Sequence, residues 1–441
     1  MRFRMRMFRS TLVGVLALVV VASACSEAAN KKAANGTPPT TVPRGVSDCK
    51  DATSIVACAP AGSMLSPYLP KTPKEATGTP IVIGMINQDT GAAGAFPELT
   101  LAVRTAVTFI NTELNGVDGH PIELVTCNTN FSPDLSQSCA QEMVAKKAVA
   151  VVGGIDIWGT GITTLENNGI PYVGGIPVSF EAARSPVSFQ FSGGLWGAVL
   201  GMGKYAMTDL DAKRIAVIYG DFGPIKDAAE LGKKVLEKQG AQVTLIPTSS
   251  VNPDMVSAIN QTAQASPDAV IALTADSGCK PTMVTAAQLD LKAPVMYTGA
   301  CAAPKIIDSV GSAADGAIFN LEADLDPKNS DNVLYLAIAA RYGPEFGYEA
   351  QGAGTVSFRG MINLYGVLRD LGAENVSSPA ILKAFRAARD RRSFFGHNYT
   401  CDGKQLDGYV AMCSPQQTLG VLKKGAIGQL TDWIEVGGPK A

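Results

Sequence analysis

Apolar residues in this chain recur in two rhythms that alternate. Short β-branched runs such as Ile81-Val82-Ile83-Gly84-Met85-Ile86 predict buried strands. Each run is followed by a turn and then by apolar residues every three to four positions. After Pro97, the positions Leu99, Val103, Ala106, Val107, Ile110 and Leu114 form one helical stripe. Ile122–Val125, Val149–Val152 and Ile170–Val173 predict further strands, with a helix after Pro133. The alternation then restarts. Arg214–Tyr219, Val243–Ile246, Asp268–Leu273 and Pro294–Tyr297 read as strands, with helices over Lys226–Gln239 and Pro253–Ala265 between them. Strand and helix alternating in two series predict an α/β protein with two doubly wound parallel-sheet lobes. About 390 residues after the N-terminal region exceed one typical core, which agrees with two lobes.

The N-terminus has a different pattern. Arg2, Arg4, Arg6 and Arg9 precede the uncharged, apolar stretch Ser10–Ala24, which ends in the small residues Ala22-Ser23-Ala24. That is the plan of a secretory signal over residues 1–24, too short for a permanent membrane span. The small residues run directly into Cys25 and resemble a bacterial lipobox, with Ala22 where Leu is usual. The implied event is cleavage before Cys25 and its acylation, which would anchor the chain to a membrane; the alternative is plain cleavage after Ala24. Residues 25–77 read as a lipidated tether and N-terminal extension, and their first part is too poor in apolar groups to fold.

Eight further cysteines fall into four local couples: Cys49 with Cys58, Cys127 with Cys139, Cys279 with Cys301, and Cys401 with Cys413. Nearest-neighbour pairing is the simplest arrangement and fits an oxidising, extracytoplasmic compartment; buried free thiols are the alternative. No couple has metal-ligand spacing, and His120 and His397 are the only histidines, so no metal site or cofactor is expected. Neither histidine has a nucleophile in its sequence context, which argues against an enzyme. With 37 basic and 39 acidic residues there is no basic stripe for nucleic acid. Gly91-Ala92-Ala93-Gly94 lacks the lysine and serine of a phosphate loop.

From about Pro80 to Val436 the chain resembles the type I periplasmic-binding-protein (Venus-flytrap) family, most of all the leucine/isoleucine/valine-binding branch of ABC-importer receptors. The likeness lies in Ile81-Val82-Ile83-Gly84, in Phe109-Ile110-Asn111 leading through Gly116-Val117-Asp118-Gly119-His120, in Val151-Val152-Gly153-Gly154 and in Asn168–Val173. It continues in Arg214–Asp221 and Ser266–Val270. The resemblance implies three crossings between lobes, near Phe191–Gly194, Phe319–Glu322 and Phe395–Thr400. Lobe 1 would hold 78–193 and 320–396; lobe 2 would hold 194–319 and 397–437. It implies a solute-binding lipoprotein that closes on a small polar solute, such as an amino acid, amide or carboxylate, and presents it to a membrane permease. The alternative is the sensing subunit of a signalling assembly.

Loops beyond the carboxyl ends of parallel strands form the ligand crevice of such sheets. The candidate ligand-binding residues on them are Gln88, Asp89, Thr90, Phe96, Asp156, Ile157, Trp158, Gly175 and Ser179 in lobe 1, and Phe222, Asp276, Ser277 and Ala300 in lobe 2. Amino-acid-binding relatives place Ser or Thr after strands three and four and an acid in lobe 2. Here Ile157 or Trp158, Val178 or Ser179, and Ala300 or Cys301 stand at those positions. An unpaired ammonium in a closed cleft is costly, so an ordinary branched-chain amino acid is disfavoured unless Asp156, Asp89 or Asp276 supplies a displaced charge. Each of those acids has an alternative as a turn or helix cap, and Trp158 has one in loop packing.

Overall fold

The computed structural model describes residues 53–92, 94–350 and 352–437. The expected signal segment, Cys25 and Cys49 lie outside the described residues. The first parallel sheet contains β1 (Ile81–Asn87), β2 (Ile122–Asn128), β3 (Ala150–Gly153), β4 (Tyr172–Val173) and β5 (Ser188–Phe189), in the order β2-β1-β3-β4-β5. Ile83 is in register with both Leu124 and Ala150, so β1 is the centre from which the chain winds in both directions. The second sheet runs β12-β11-β10-β9-β8-β6-β7. Its strands β6 (Arg214–Gly220), β7 (Gln242–Thr248), β8 (Ala269–Leu273), β9 (Val295–Tyr297) and β10 (Ile318–Asn320) are parallel. The hairpin β11 (Leu419–Lys423) and β12 (Ala426–Gln429) closes the sheet antiparallel, turning at Lys424 and Gly425, which both have positive φ as a two-residue hairpin turn needs.

Helices form where the stripe predicts them. Pro97–Glu113 starts on a proline, carries Glu98 in its first turn, and buries Leu99, Ala102, Val103, Ala106, Phe109 and Ile110 on the first sheet. The helix Gly354–Leu371 is different: every residue from Gly354 to Leu368 is buried, so it runs through the first core and has no solvent face.

Residues 53–77, expected as the end of a tether, instead strap the first core. Ile55 and Leu65 are fully buried, and the amides of Ile55 and Val56 donate to the Glu113 carboxylate at 3.0 and 2.9 Å. Disulfides join Cys127 to Cys139, Cys279 to Cys301 and Cys401 to Cys413, and Cys58 is also disulfide-bonded.

The chain passes to the second sheet at Ser192–Gly194 and returns at Leu321–Ala323. The third passage lies at Pro415–Thr418, later than Phe395–Thr400. Tyr399 still pairs with Arg391, and the Cys401–Cys413 bridge sits in the first core because Gln190 bonds the backbone of Ala411 and Cys413 at the sheet edge. Leu406 and Tyr409, between those cysteines, reach into the second core, so this segment touches both lobes.

Candidate functional site

The carboxyl ends of the two sheets face each other, and their loops meet. At one end Phe222, which follows β6, sets its ring edge-on to Trp158, which follows β3, at 5.2 Å and 88°. Phe131, after β2, completes the cluster at 5.7 Å from Trp158 and 6.4 Å from Phe222. The Trp158 indole N–H donates to the Phe131 carbonyl at 3.0 Å, which fixes the plane of the indole. Asn130 and Phe131 both have positive φ, 46° and 56°. A bulky aromatic residue seldom adopts that conformation, and such positions concentrate at sites. Elsewhere in the cleft Lys305 donates from lobe 2 to the Ala95 carbonyl of lobe 1 at 3.1 Å. A β-carbon on Gly94 would lie 2.9 Å from the β-carbon of Asp276, so only glycine permits that approach of the lobes. The lobes are closed on one another.

The candidate polar groups divide by what already holds them. Asp156 is buried, and its carboxylate accepts from Ser136 Oγ at 2.6 Å. Burial pushes its pKa up, opposed by Ser136 and the amides of Gly159 and Trp158, so it organises its own turn. Asp89 accepts from Asn87 Nδ2 at 2.7 Å and Thr100 Oγ1 at 2.6 Å; burial raises its pKa against those bonds. Thr90 is exposed and bonds Asn130 and Asn128. Buried Gln88 braces the following loop through the Gly94 carbonyl at 2.9 Å. Ser179 caps the Phe180–Arg184 helix. Ser277 donates to the Ser250 carbonyl at 3.1 Å. A β-carbon on Gly175 would come within 2.6 Å of Gly153 and Gly154, so this glycine serves strand-end packing. Ile157 and Phe96 are buried in the first core, and half-buried Ala300 packs against it from lobe 2. Asp276 faces Lys305 at 3.9 Å. Thus Trp158 and Phe222 come together; Phe96 stands apart from them, beside Gly94 and Asp276.

Two groups of the cleft escaped the sequence reading. Phe131 gave no signal, because its backbone conformation arises only in the folded loop. Glu98 reads from sequence as a first-turn acid complementing the helix dipole. In the structure it lies among Lys305, Asp276, Asp89 and Tyr348, and its carboxylate is held by its own backbone amide. Burial pushes its pKa from the ordinary 4.5 to about 7; its own amide and then Lys305 offset part of this, and Asp276 and Asp89 add to it. Its charge therefore costs nothing in the folded state below about pH 4.5 and costs most above about pH 7. Glu98→Gln should raise stability at pH 8 by about 1–2 kcal/mol after allowing for solvent screening, with the gain vanishing near pH 4.5. Urea unfolding at the two pH values measures it; an equal effect at both would contradict this account.

Comparison with known proteins bears on the whole arrangement. The sequence profile of the periplasmic binding protein family matches residues 80–415. No curated protein matches the chain. Solved structures with a similar fold include the leucine binding protein LivK of Thermotoga maritima, with 17% identity and a TM-score of 0.66 over 80% of this chain and 98% of that one. A solute binding protein of an ABC transporter from Rhodopseudomonas palustris, in complex with 3,4-dihydroxy benzoic acid, has 19% identity and a TM-score of 0.65 over 81% and 98%. The branched-chain amino acid transporter substrate binding protein LivJ from Streptococcus pneumoniae, in complex with isoleucine, has 14% identity and a TM-score of 0.65 over 81% and 100%. At these identities the solved structures establish likeness of fold.

Proposed function

Because the chain belongs to the periplasmic binding protein family, we propose that it is the extracytoplasmic solute-binding component of an ABC importer. It captures a small polar solute between its lobes and passes it, chemically unchanged, to a membrane permease. The observation that carries this reading is the facing of two sets of strand-end loops, with Trp158 and Phe131 of one lobe against Phe222 of the other. A solute contacting both lobes favours the closed state by its differential affinity for it. Lipid on Cys25 would hold the protein at the membrane, in keeping with the N-terminal pattern.

The solute class follows from which groups are engaged. Asp89, Asp156, Ser179 and Ser277 already hold their own loops. Isoleucine-type recognition through a hydroxyl pair therefore has no ready counterpart here, and the lobe-2 acid of the cleft, Asp276, faces Lys305 at 3.9 Å. An aromatic cluster bordered by polar backbone suits an amino-acid-like molecule, amide or carboxylate with a planar or apolar part. The LivJ structure holds isoleucine and the R. palustris protein holds a dihydroxybenzoate, so this fold accommodates both kinds.

A thermal-shift screen of amino acids, amides, small carboxylates and peptides on the mature chain tests the proposal. A binder at 100 times its dissociation constant adds about 2.7 kcal/mol. Stabilisation by leucine, isoleucine and valine alone would contradict the solute class; turnover of a bound compound would contradict the function.

A further inference from the structure

The three passages between the lobes are tied by one buried polar network. Arg359, in the middle of the Gly354–Leu371 helix, is 1% exposed. Its guanidinium donates to the Phe191 carbonyl at the first passage, at 2.7 Å, and to the backbone carbonyl of Glu322 at the second. The Glu322 carboxylate, also buried, accepts from the Gly193 amide at 2.8 Å and from Gln417 Nε2 at the third passage. Glu322 has a φ of 53°, a conformation a glutamate keeps only where its surroundings impose it.

The network reaches the binding loops at both ends. In lobe 2, Gln417 Oε1 accepts from Asn320 Nδ2 at 3.1 Å, and Asn320 Oδ1 accepts from the Gly299 amide at 2.7 Å, at the start of the loop that carries Ala300. In lobe 1, Ser357, half a turn from Arg359, donates to the Gly153 carbonyl at 2.9 Å, at the end of β3. Gly360 lies under Gly174, where a β-carbon on Gly174 would be 2.8 Å from the Gly360 α-carbon. One helix therefore supports the cleft floor and holds the hinge.

We propose that the Arg359–Glu322–Gln417 network is a hinge latch that favours the closed angle between the lobes and joins the binding loop after β3 to the one after β9. A buried donor or acceptor that loses its partner is costly, and both Arg359 bonds go to backbone carbonyls, so a latch built from these hydrogen bonds resists gradual deformation. Arg359 and Glu322 are positioning residues; neither is assigned contact with solute.

Small-angle scattering of the full mature protein without added solute tests the latch and does not depend on the identity of the solute. Gln417→Met and the charge-free pair Arg359→Met with Glu322→Gln should each raise the radius of gyration by about 1 Å, on roughly 22 Å expected for this length. Glu322→Gln alone keeps a carbonyl oxygen for both incoming N–H groups and should hold the wild-type radius. Circular dichroism identifies the folded variants. If the double variant does not fold, Gln417→Met against Glu322→Gln decides. A folded Gln417→Met protein with the wild-type radius would overturn the proposal, as would an equal rise in Glu322→Gln.

Discussion

Asp331→Ala is expected to destabilise the first lobe by about 3 kcal/mol and to release the N-terminal strap. Asp331 opens the Ser330–Tyr342 helix and is 2% exposed. One carboxylate oxygen accepts from Ser63 Oγ at 2.7 Å and the Met64 amide at 2.6 Å; the other accepts from Arg392 at 3.0 Å. Truncation leaves buried donors of the strap without acceptors, and it removes a negative charge from a helix N-terminus. Arg392 is half exposed and can turn to water, which keeps the expected loss below that of a fully buried pair. Two measurements follow. The urea midpoint should fall, and trypsin should cut faster after Lys71 and Lys74, the exposed lysines of the strap. An unchanged midpoint with an unchanged cutting rate would mean that the strap merely rests on the lobe. Asp331→Asn, which keeps one oxygen acceptor, should lose less.

The strap shows where reading from sequence runs out. The two strand-and-helix series were legible because buried strands and helical stripes repeat, and the repeat survives without knowledge of contacts. Ile55 opens the short run Ile55–Ala59 and Met64-Leu65 is a single pair between serines, so neither shows a helical or strand period that marks it as core. The third passage was misplaced for a related reason. What keeps residues 401–413 on the first lobe is pairing with Gln190, more than 200 positions earlier in the chain, and local pattern carries no trace of it. The loops proposed to bind solute followed from the fold, since strand ends place them. Which of their polar groups are free did not, because engagement depends on partners such as Ser136 for Asp156 and Thr100 for Asp89. Arg359 was hidden in the same way. Its helix is buried all round, and a basic residue there reads as an exception until the first two passages meet at its guanidinium.

Phe222→Ala is expected to weaken solute binding by up to about 30-fold while leaving each lobe folded. Phe222 is the residue before the Gly223–Lys238 helix and supplies no side-chain cap, so its removal takes nothing from that helix. Its ring contributes contacts to Trp158 and Phe131 across the cleft, at 5.2 and 6.4 Å. Aromatic pairs are worth about 0.5–1.5 kcal/mol each beyond their buried area, so loss of both contacts removes about 2 kcal/mol from the closed state. A solute that needs that state then binds more weakly by at most the corresponding factor, since each 1.4 kcal/mol is about tenfold. Calorimetric titration with a solute found by the screen measures the effect. Phe222→Tyr, which keeps the ring, should restore most of the affinity. Trp158→Ala should cost more than Phe222→Ala, because it also frees the Phe131 carbonyl and leaves Phe131 without the bond that helps hold its positive φ. Equal affinity in Phe222→Ala and wild type would place closure elsewhere in the cleft, at the Lys305–Ala95 and Gly94–Asp276 contacts.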